Sequence, residues 1–323
     1  MRSGFSTIKN GEKMGYPYLE AYASLAPLVD EMVIAVGDCE DNTRERLIEA
    51  SATWPCPLRI IDSPWNLSQN RGGLELSVQT NVALEACQHD VCVYIQADEV
   101  IHEEDYDYFI MDLVRFEEDD SVSGLAFHWV HFYGDFHTVV YSKEWYRREM
   151  RAVKRSHGMR SFSDAQGFRI LLDEKGASVA SDFSSIRDLD VIDPKSGRWA
   201  KPAAALSRGR YFHYGWVKAP QQMASKAEEL HRYWHGNAKD GLVTADNVFP
   251  HIFGMKEFQR SHPQLIMPRL SRFEAVAGDS TPFFLRPIPF EKKHLRLRAD
   301  DWLEVLTDIR VGEFKNYKNL KKY

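Results

Sequence analysis

Three short polar runs in the first hundred residues each follow an apolar stretch. Residues 7–10 hold Thr7, Lys9 and Asn10, residues 37–41 hold Asp38, Glu40 and Asp41, and residues 96–99 hold Gln96, Asp98 and Glu99. Asp98 and the neutral carbonyl of Gln96 offer the oxygen donors that hard divalent ions such as Mg²⁺ and Mn²⁺ prefer. Such ions often bind one or two carboxylates and complete their shells with water and substrate phosphates. The plainer alternative for Asp98 and Glu99 is an acid pair that ends a strand and caps a helix starting near Glu103. For Thr7, Asn10, Asp38 and Asp41 it is ordinary turn and cap chemistry. A further concentration is cationic: Lys143, Arg147, Arg148, Arg151, Lys154, Arg155 and Arg160, with Glu144 and Glu149 the acids among them. Guanidinium groups grip phosphate with a planar fork, and a helical reading of this stretch puts Arg148 and Arg151 on one face. A solvated charged face is the alternative.

The elements that must position these groups alternate. Residues 5–8 read as a short strand stopped by Asn10-Gly11, followed by a helix over 17–26 that opens on Pro17 and ends at Pro27. Residues 32–36 form a continuous apolar run, the mark of a strand buried on both faces. Thr43 is placed to cap a helix over 46–50. Residues 58–62 and 91–95 read as further strands, with a Gly-rich loop at 71–73 and a helix over 77–87 between them. Strand–helix alternation of this kind builds a parallel sheet with helices on both faces, and ligands then sit at the carboxyl ends of its strands. All three polar runs fall at such ends. Beyond residue 99 the chain reads as a helix over 103–117, a long strand over 122–132 with a partner at 138–141, a strand over 166–172, and a strand at 210–214 leading to a helix over 220–234. A helix over 299–309 and a basic tail over 315–322 finish it.

Composition removes several classes of function. The chain has 323 residues, 44% of them hydrophobic, and a formal net charge of −6, which argues against a basic face for nucleic acid. Cys39, Cys56, Cys87 and Cys92 form no CxxC pair, so they read as reduced thiols of a cytoplasmic protein. No apolar run approaches the roughly 20 residues needed to span a bilayer, although a peripheral contact at the inner membrane face is compatible with this. GxSxG, GxxxxGK[ST] and GxGxxG motifs are absent. His128, His131 and His137 lack zinc-ligand spacing and read as strand side chains, some of them suited to stacking on a sugar ring. His231 and His235 read as surface residues, and Met223 and Leu230 beside them as core contacts.

Several passages resemble family 2-like glycosyltransferases of the GT-A type. Residues 5–10 (Phe5-Ser6-Thr7-Ile8-Lys9-Asn10) are similar to the first strand and nucleotide loop, and residues 30–43 to the second strand with its acidic turn. Residues 79–84 resemble the helix before the metal motif, and Gln96-Ala97-Asp98-Glu99 resembles the DxD-type metal site. Residues 163–168 resemble the acceptor-side segment that carries the base. Phe212-His213-Tyr214-Gly215 resembles a closing segment whose histidine completes the metal shell. Gln96 stands at the first acid of DxD, and Gly37 stands where many relatives carry an Asp that reads the base.

The resemblance implies an α/β fold: a GT-A-type Rossmann-like sandwich with a mostly parallel central sheet, helices on both faces and a C-terminal extension. Residues 1–235 would form the catalytic domain, with a nucleotide-sugar half over 1–100 and an acceptor half over 101–235, and residues 236–323 would form the extension. The implied reaction is inverting transfer of a sugar from a UDP-, GDP- or dTDP-sugar to a glycan or glycolipid acceptor. Asp98 and His213 would hold Mn²⁺ or Mg²⁺, His213 favouring Mn²⁺. Thr7, Asn10, Asp38, Asp41, Gln96, Asp98, Arg148 and Arg151 would line the nucleotide-sugar site. Asp164 would be the general base, with Glu149 in reserve and a turn-capping role for Asp164 as the alternative. Polysaccharide biosynthesis is the natural setting, and the extension could cover the acceptor site, dock a partner or build a homodimer. Two other readings are a degenerate transferase that binds nucleotide or glycan without turnover, and a nucleotidyltransferase, for which Lys9-Asn10-Gly11 is a poor phosphate loop.

Overall fold

The computed structural model describes residues 1–66, 72–179, 193, 195, 197–235, 244–250, 252–277, 281–287, 291–308, 310 and 316–323. In chain order the elements are β1 (Arg2–Ile8), α1 (Tyr18–Leu25), β2 (Glu31–Val36), α2 (Thr43–Ser51), β3 (Leu58–Asp62), α3 (Leu74–Ala86), β4 (Val91–Tyr94), β5 (Glu99–Ile101), α4 (Tyr106–Glu118), β6 (Gly124–Tyr133), β7 (Thr138–Val140) and β8 (Arg148–Lys154). They continue with β9 (Met159–Phe162), β10 (Gly167–Leu171), β11 (Trp199–Ala200), β12 (Ala203–Trp216), α5 (Pro220–His235), β13 (Met255–Glu257), α6 (Met267–Ala277), α7 (Lys292–Thr307) and β14 (Lys318–Lys322).

Eleven of these strands join one sheet in the order β13-β7-β6-β8-β4-β1-β2-β3, with β12 pairing β5, β6 and β14. β3, β2, β1 and β4 are mutually parallel. β8 is antiparallel to both β4 and β6, so β6 regains their direction, and β12 and β14 follow it. β8, β7 and β5 are the described strands that run against the rest. The result is the mostly parallel α/β sheet expected from the alternation, consistent with the GT-A-type Rossmann-like sandwich that the resemblance implies. β13 and β14 lie beyond residue 236 and hydrogen-bond into this same sheet. β9, β10 and β11 form a small separate antiparallel sheet.

The alternating faces of β2 explain its unbroken apolar run. Met32, Ile34 and Val36 join Tyr18, Tyr22, Phe109 and Phe116 on one side, beneath α1 and α4. Val33 and Ala35 join Phe5, Tyr94, Val82, Ala83 and Leu84 on the other, beneath α3. Burying each such large side chain contributes on the order of 2 kcal/mol. β1 can lie close to this layer because residue 4 is glycine: a Cβ there would clash with Met32 Sδ.

Three local expectations need correction. The basic stretch over 143–160 is not helical; its centre is β8, wedged between β4 and β6 and buried along its whole length, with Ala152 in the core on one side of the sheet and Met150 and Val153 in the core on the other. Thr43 begins α2 instead of capping it, and the Asp41 carboxylate accepts from the Thr43 N–H at 3.0 Å. The last long helix starts at Lys292, seven residues earlier than expected, behind a Glu291–His294 capping box. Arg71 of the expected Gly-rich loop, residue 309 of the expected helix and Lys315 of the tail lie outside the described residues.

Candidate functional site

Parallel register brings the three polar runs together. Thr7 pairs with Ala35 one residue before the end of β2, and the Ile95 N–H reaches the Phe5 carbonyl at 3.2 Å. The ends of β1, β2 and β4 therefore form one rim. Thr7 donates its hydroxyl to the Ala35 carbonyl at 3.2 Å. Asp38 is more than half exposed and accepts from Lys9 Nζ at 2.8 Å and from the Trp65 N–H at 3.1 Å. Partial burial opposes its ionisation, but those bonds hold its carboxyl below the usual range. Gly37 gives Trp65 its seat, since a Cβ there would lie 2.7 Å from the indole nitrogen. Asn10 and Asp41 turn inward. Asn10 is 3% exposed, has a left-handed φ of 54°, and accepts from the Glu40 N–H at 2.7 Å. Asp41 accepts from the Lys13 N–H at 2.8 Å. Both hold the two loops against each other.

Asp98 follows β4, and β12 runs past it. β12 sets His213 opposite both Glu99 and His131, and the Tyr214 N–H donates to the Asp98 carbonyl at 2.8 Å. His131 is buried; its Nε2 lies 2.7 Å from the Tyr146 carbonyl, which can only accept, so that nitrogen carries the proton. Burial and the neighbouring His213 keep His131 neutral by pushing its pKa well below the usual value. Its Nδ1 is then an acceptor, 3.2 Å from His213 Nδ1. His213 Nδ1 donates there, and its Nε2 faces Asp98 Oδ2 3.7 Å away, where it pairs with the carboxylate when protonated and offers a lone pair to a cation when not.

The space between these two atoms is kept open by Gly215, where a Cβ would lie 2.5 Å from Asp98 Oδ2 and 2.6 Å from His213 Nε2. Positive charge already gathers there. Lys226 Nζ is 3.2 Å from Asp98 Oδ2 and 2.8 Å from the Gly215 carbonyl, and Lys218 Nζ donates to the Gly15 carbonyl at 2.7 Å. Both ammonium groups lie over the Tyr16 ring, Lys226 at 4.7 Å and Lys218 at 5.0 Å. Burial works against the Asp98 charge, but Lys226, His213 and Lys218 outweigh it and hold the carboxyl far below the usual range. Burial and Lys226 push the Lys218 pKa well down. The helix-cap alternative for Asp98 fails locally: His102 is the cap and accepts from the Glu104 N–H at 3.1 Å.

The donor set fits a divalent ion. An imidazole lone pair and a carboxylate share one side-chain-free gap, and an ammonium stands beside the carboxylate as a cation would. Among the described residues no group of three or more His, Cys, Asp or Glu side chains forms a closed cage. Two protein ligands plus phosphate oxygens and water is the arrangement such ions take in phosphate sites.

Asp164 sits on the turn between β9 and β10. Ser163 and Ala165 flank Asp164 with left-handed φ of 59° and 60°, conformations that cost non-glycine residues on the order of 1 kcal/mol each. α3 holds the turn. Ser77 Oγ donates to the Ser163 carbonyl at 2.8 Å and accepts from the Ala165 N–H at 3.2 Å, and Asn81, one helical turn on, brackets Ser161 at 2.8 and 2.9 Å. Burial raises the pKa of Asp164 against the pull of its own and the Gln166 backbone N–H, so it both caps the turn and is a stronger base than an exposed carboxylate. Glu149 lies nearby on β8, and burial together with the negative charge of Asp164 brings it to about 7, against the pull of the Met150 N–H, Arg151 and Asn316. Asn316 Nδ2 donates to Glu149 Oε2 at 2.6 Å.

Arg151 joins the two halves from behind. It has no exposed surface and does not face the rim. Its Nε and Nη2 clamp Glu99 at 3.0 and 2.8 Å, and its Nη1 donates to the Met150 and Gln166 carbonyls at 3.0 and 2.9 Å. Arg148 is 7% exposed and three residues away along a strand, so it leaves the opposite face and meets Asp308 at 3.0 Å. The pairing of these two arginines on one face is thus replaced by two separate ion pairs. The Gln96 N–H donates to Glu99 Oε2 at 2.9 Å, which ties the Gln96–Asp98 turn to the same clamp. Lys218, Lys226 and Ser77 were not singled out from the sequence, and Asn81 only as part of the passage over 79–84. The signal for Asn81 was the polar run Gln79-Thr80-Asn81, which lies in a helix buried throughout residues 77–84.

No family model and no curated protein matches the sequence. Among solved structures, S. aureus TarS matches over 76% of this chain and 42% of that chain at 14% identity, with a TM-score of 0.35. TarS 1–349 in complex with UDP-GlcNAc matches over 76% of this chain and 70% of that chain at 13% identity, with a TM-score of 0.34. Glucosyl-3-phosphoglycerate synthase from Mycobacterium tuberculosis, in complex with Mg²⁺ and UDP, matches over 41% of this chain and 43% of that chain at 17% identity, with a TM-score of 0.28. The chain spans about two fifths of the length of the first structures it matches.

Proposed function

We propose that this protein is a glycosyltransferase that moves a sugar from a nucleoside-diphosphate sugar to an acceptor hydroxyl. The observation that carries this reading is the union of two unlike sites on one clamp. A cation-ready gap between Asp98 and His213, with Lys226 and Lys218 beside it, lies at the strand ends. A carboxylate with a raised pKa, Asp164, is tied through Gln166 to the same Arg151 that ties the Asp98 turn. One site suits a departing diphosphate and the other suits a hydroxyl that must lose its proton.

Asp98 and His213 would hold Mn²⁺ or Mg²⁺, which when bound neutralises charge on the diphosphate. Lys226 adds positive charge beside Asp98 in a water-poor setting, where such charge acts most strongly on a leaving group. Thr7, Asp38, Trp65 and Gln96 line the rim that would take the nucleotide of a UDP-, GDP- or dTDP-sugar. Asn10 and Asp41 shape it by locking its loops, and Arg151 by fixing the turns. Arg148 anchors the C-terminal segment through Asp308. Asp164 accepts the proton of a glycan or glycolipid hydroxyl, and single displacement with one acceptor-side base inverts the sugar carbon. Glu149 stays behind Asp164 as a buried acid. Residues 1–235 would be the catalytic unit and 236–323 its extension.

The neutral Gln96 and the Asp98–Lys226 pair also favour a second reading, a domain that binds nucleotide without turnover. Release of nucleoside diphosphate separates the two. Purified protein is incubated with UDP-, GDP- and dTDP-hexoses plus Mn²⁺ and a panel of glycan acceptors. The transferase reading expects release from one donor class, and a loss of about 10²–10⁴ in turnover for Asp164→Asn with nucleotide affinity kept. Binding without release from any donor would leave the second reading standing.

A further inference from the structure

Helix α7 is built inside out. Its polar side faces the protein: Asp300 pairs with Lys143 at 2.6 Å, and Glu304 with Arg147 at 2.9 Å and with Arg310. His294 and Leu297 are buried on that side. The opposite side is apolar and open. Leu295 is 59% exposed, Trp302 67%, Val305 78% and Leu306 76%. Leu295, Ala299, Trp302 and Leu306 recur at intervals of four, three and four, so they form one stripe along the helix. At 100° per residue, Lys292 and Arg296 fall along one margin of that stripe and Arg298 along the other, all three exposed.

A helix normally turns apolar residues inward, because leaving them in water forfeits burial. Here the ion pairs fix the reverse orientation, so the apolar stripe is held outward by design of the underlying charges. We propose that α7 docks this protein on the surface of an anionic lipid bilayer. An apolar stripe with a tryptophan and flanking cations is the pattern of helices that lie in the headgroup region. The rim cations match anionic headgroups, and the attraction is local, since the whole chain carries a net charge of −6. A second copy is the poorer occupant: the rim cations would need acids on the facing helix, and Asp300 and Glu304 are already engaged on its inner side. No described helix is long and apolar enough to cross a membrane, so docking would be by this surface alone. The inference does not depend on the proposed reaction.

The test is flotation of the full chain with vesicles of phosphatidylcholine alone or of equal parts phosphatidylcholine and phosphatidylglycerol. The chain should float with the anionic vesicles, bind them less at high salt, and ignore the neutral ones. Trp302→Ala with Leu306→Ala, and separately Lys292→Glu with Arg296→Glu, should each lower the bound fraction about tenfold with the melting temperature unchanged. Equal behaviour towards both vesicle types, or unaltered binding by both double variants, would overturn the proposal. So would a dimer in solution that Trp302→Ala with Leu306→Ala converts to monomer.

Discussion

Arg151 and Glu99 form a bidentate ion pair, 3.0 and 2.8 Å long, in which neither side chain has exposed surface. Trp129 and Tyr94 stack on the guanidinium, with centroids at 4.4 and 5.1 Å. Glu99 also accepts from the turn that carries Asp98, and Arg151 also donates to the turn that carries Asp164. One pair therefore sets the distance between the two halves of the proposed reaction.

Breaking that pair from one side should be costly. Arg151→Met leaves a buried, uncompensated carboxylate, and about 3–5 kcal/mol of stability is expected to go. Replacing both, Glu99→Leu with Arg151→Met, should restore most of that stability while turnover stays low, because the turns lose their common anchor. Urea denaturation and donor turnover, measured on both variants, check this.

Ser77→Ala should separate structure from activity. The hydroxyl makes two hydrogen bonds to the strained turn around Asp164, so its loss is expected to cost about 1 kcal/mol globally. Turnover should fall about tenfold, with nucleotide affinity unchanged. A Tm shift, a turnover assay and a nucleotide titration read the three effects.

Glu149 gives stability a pH dependence of definite sign. Its pKa rises from 4.5 to about 7 on folding, so the folded state holds its proton where the unfolded chain releases it. Stability should therefore fall as pH rises from about 4.5 to about 7 and level off above, by up to about 3 kcal/mol from this group. Glu149→Gln imitates the protonated acid, and should melt higher than the parent protein at pH 8 and close to it at pH 4.5. Thermal melts across that range test the sign.

Gly215→Ala should close the gap between Asp98 and His213. The added methyl would stand 2.5 and 2.6 Å from their facing atoms. The variant is expected to fold normally and to lose the metal-dependent part of nucleotide binding, seen by calorimetry with and without Mn²⁺.

Much of the N-terminal half was readable because its signals are local. The apolar runs of β2 and β4 and the polar residues that end them fix both strand and rim without reference to anything distant. The chain beyond residue 100 was harder. The charge spacing around β8 leaves helix and strand open; its place between β4 and β6 makes it a strand and sends Arg148 and Arg151 apart. Lys218 and Lys226 are ordinary lysines in sequence; they become site residues because β12 turns into α5 and carries them back to Asp98. The roles of Asn10 and Asp41 as loop locks likewise arise from partners about thirty residues away.

The central claim is that Asp98 and His213 organise a metal-assisted nucleoside-diphosphate site. The direct measurement is thermal stability with UDP, GDP, dTDP and CMP, each with and without Mn²⁺ or Mg²⁺, on the parent protein and on Asp98→Asn. One diphosphate at about a hundred times its dissociation constant should stabilise the parent by roughly 2.7 kcal/mol with metal present, and Asp98→Asn should abolish that gain. If no nucleotide shifts the transition under any condition, or if Asp98→Asn responds as the parent does, the claim is contradicted.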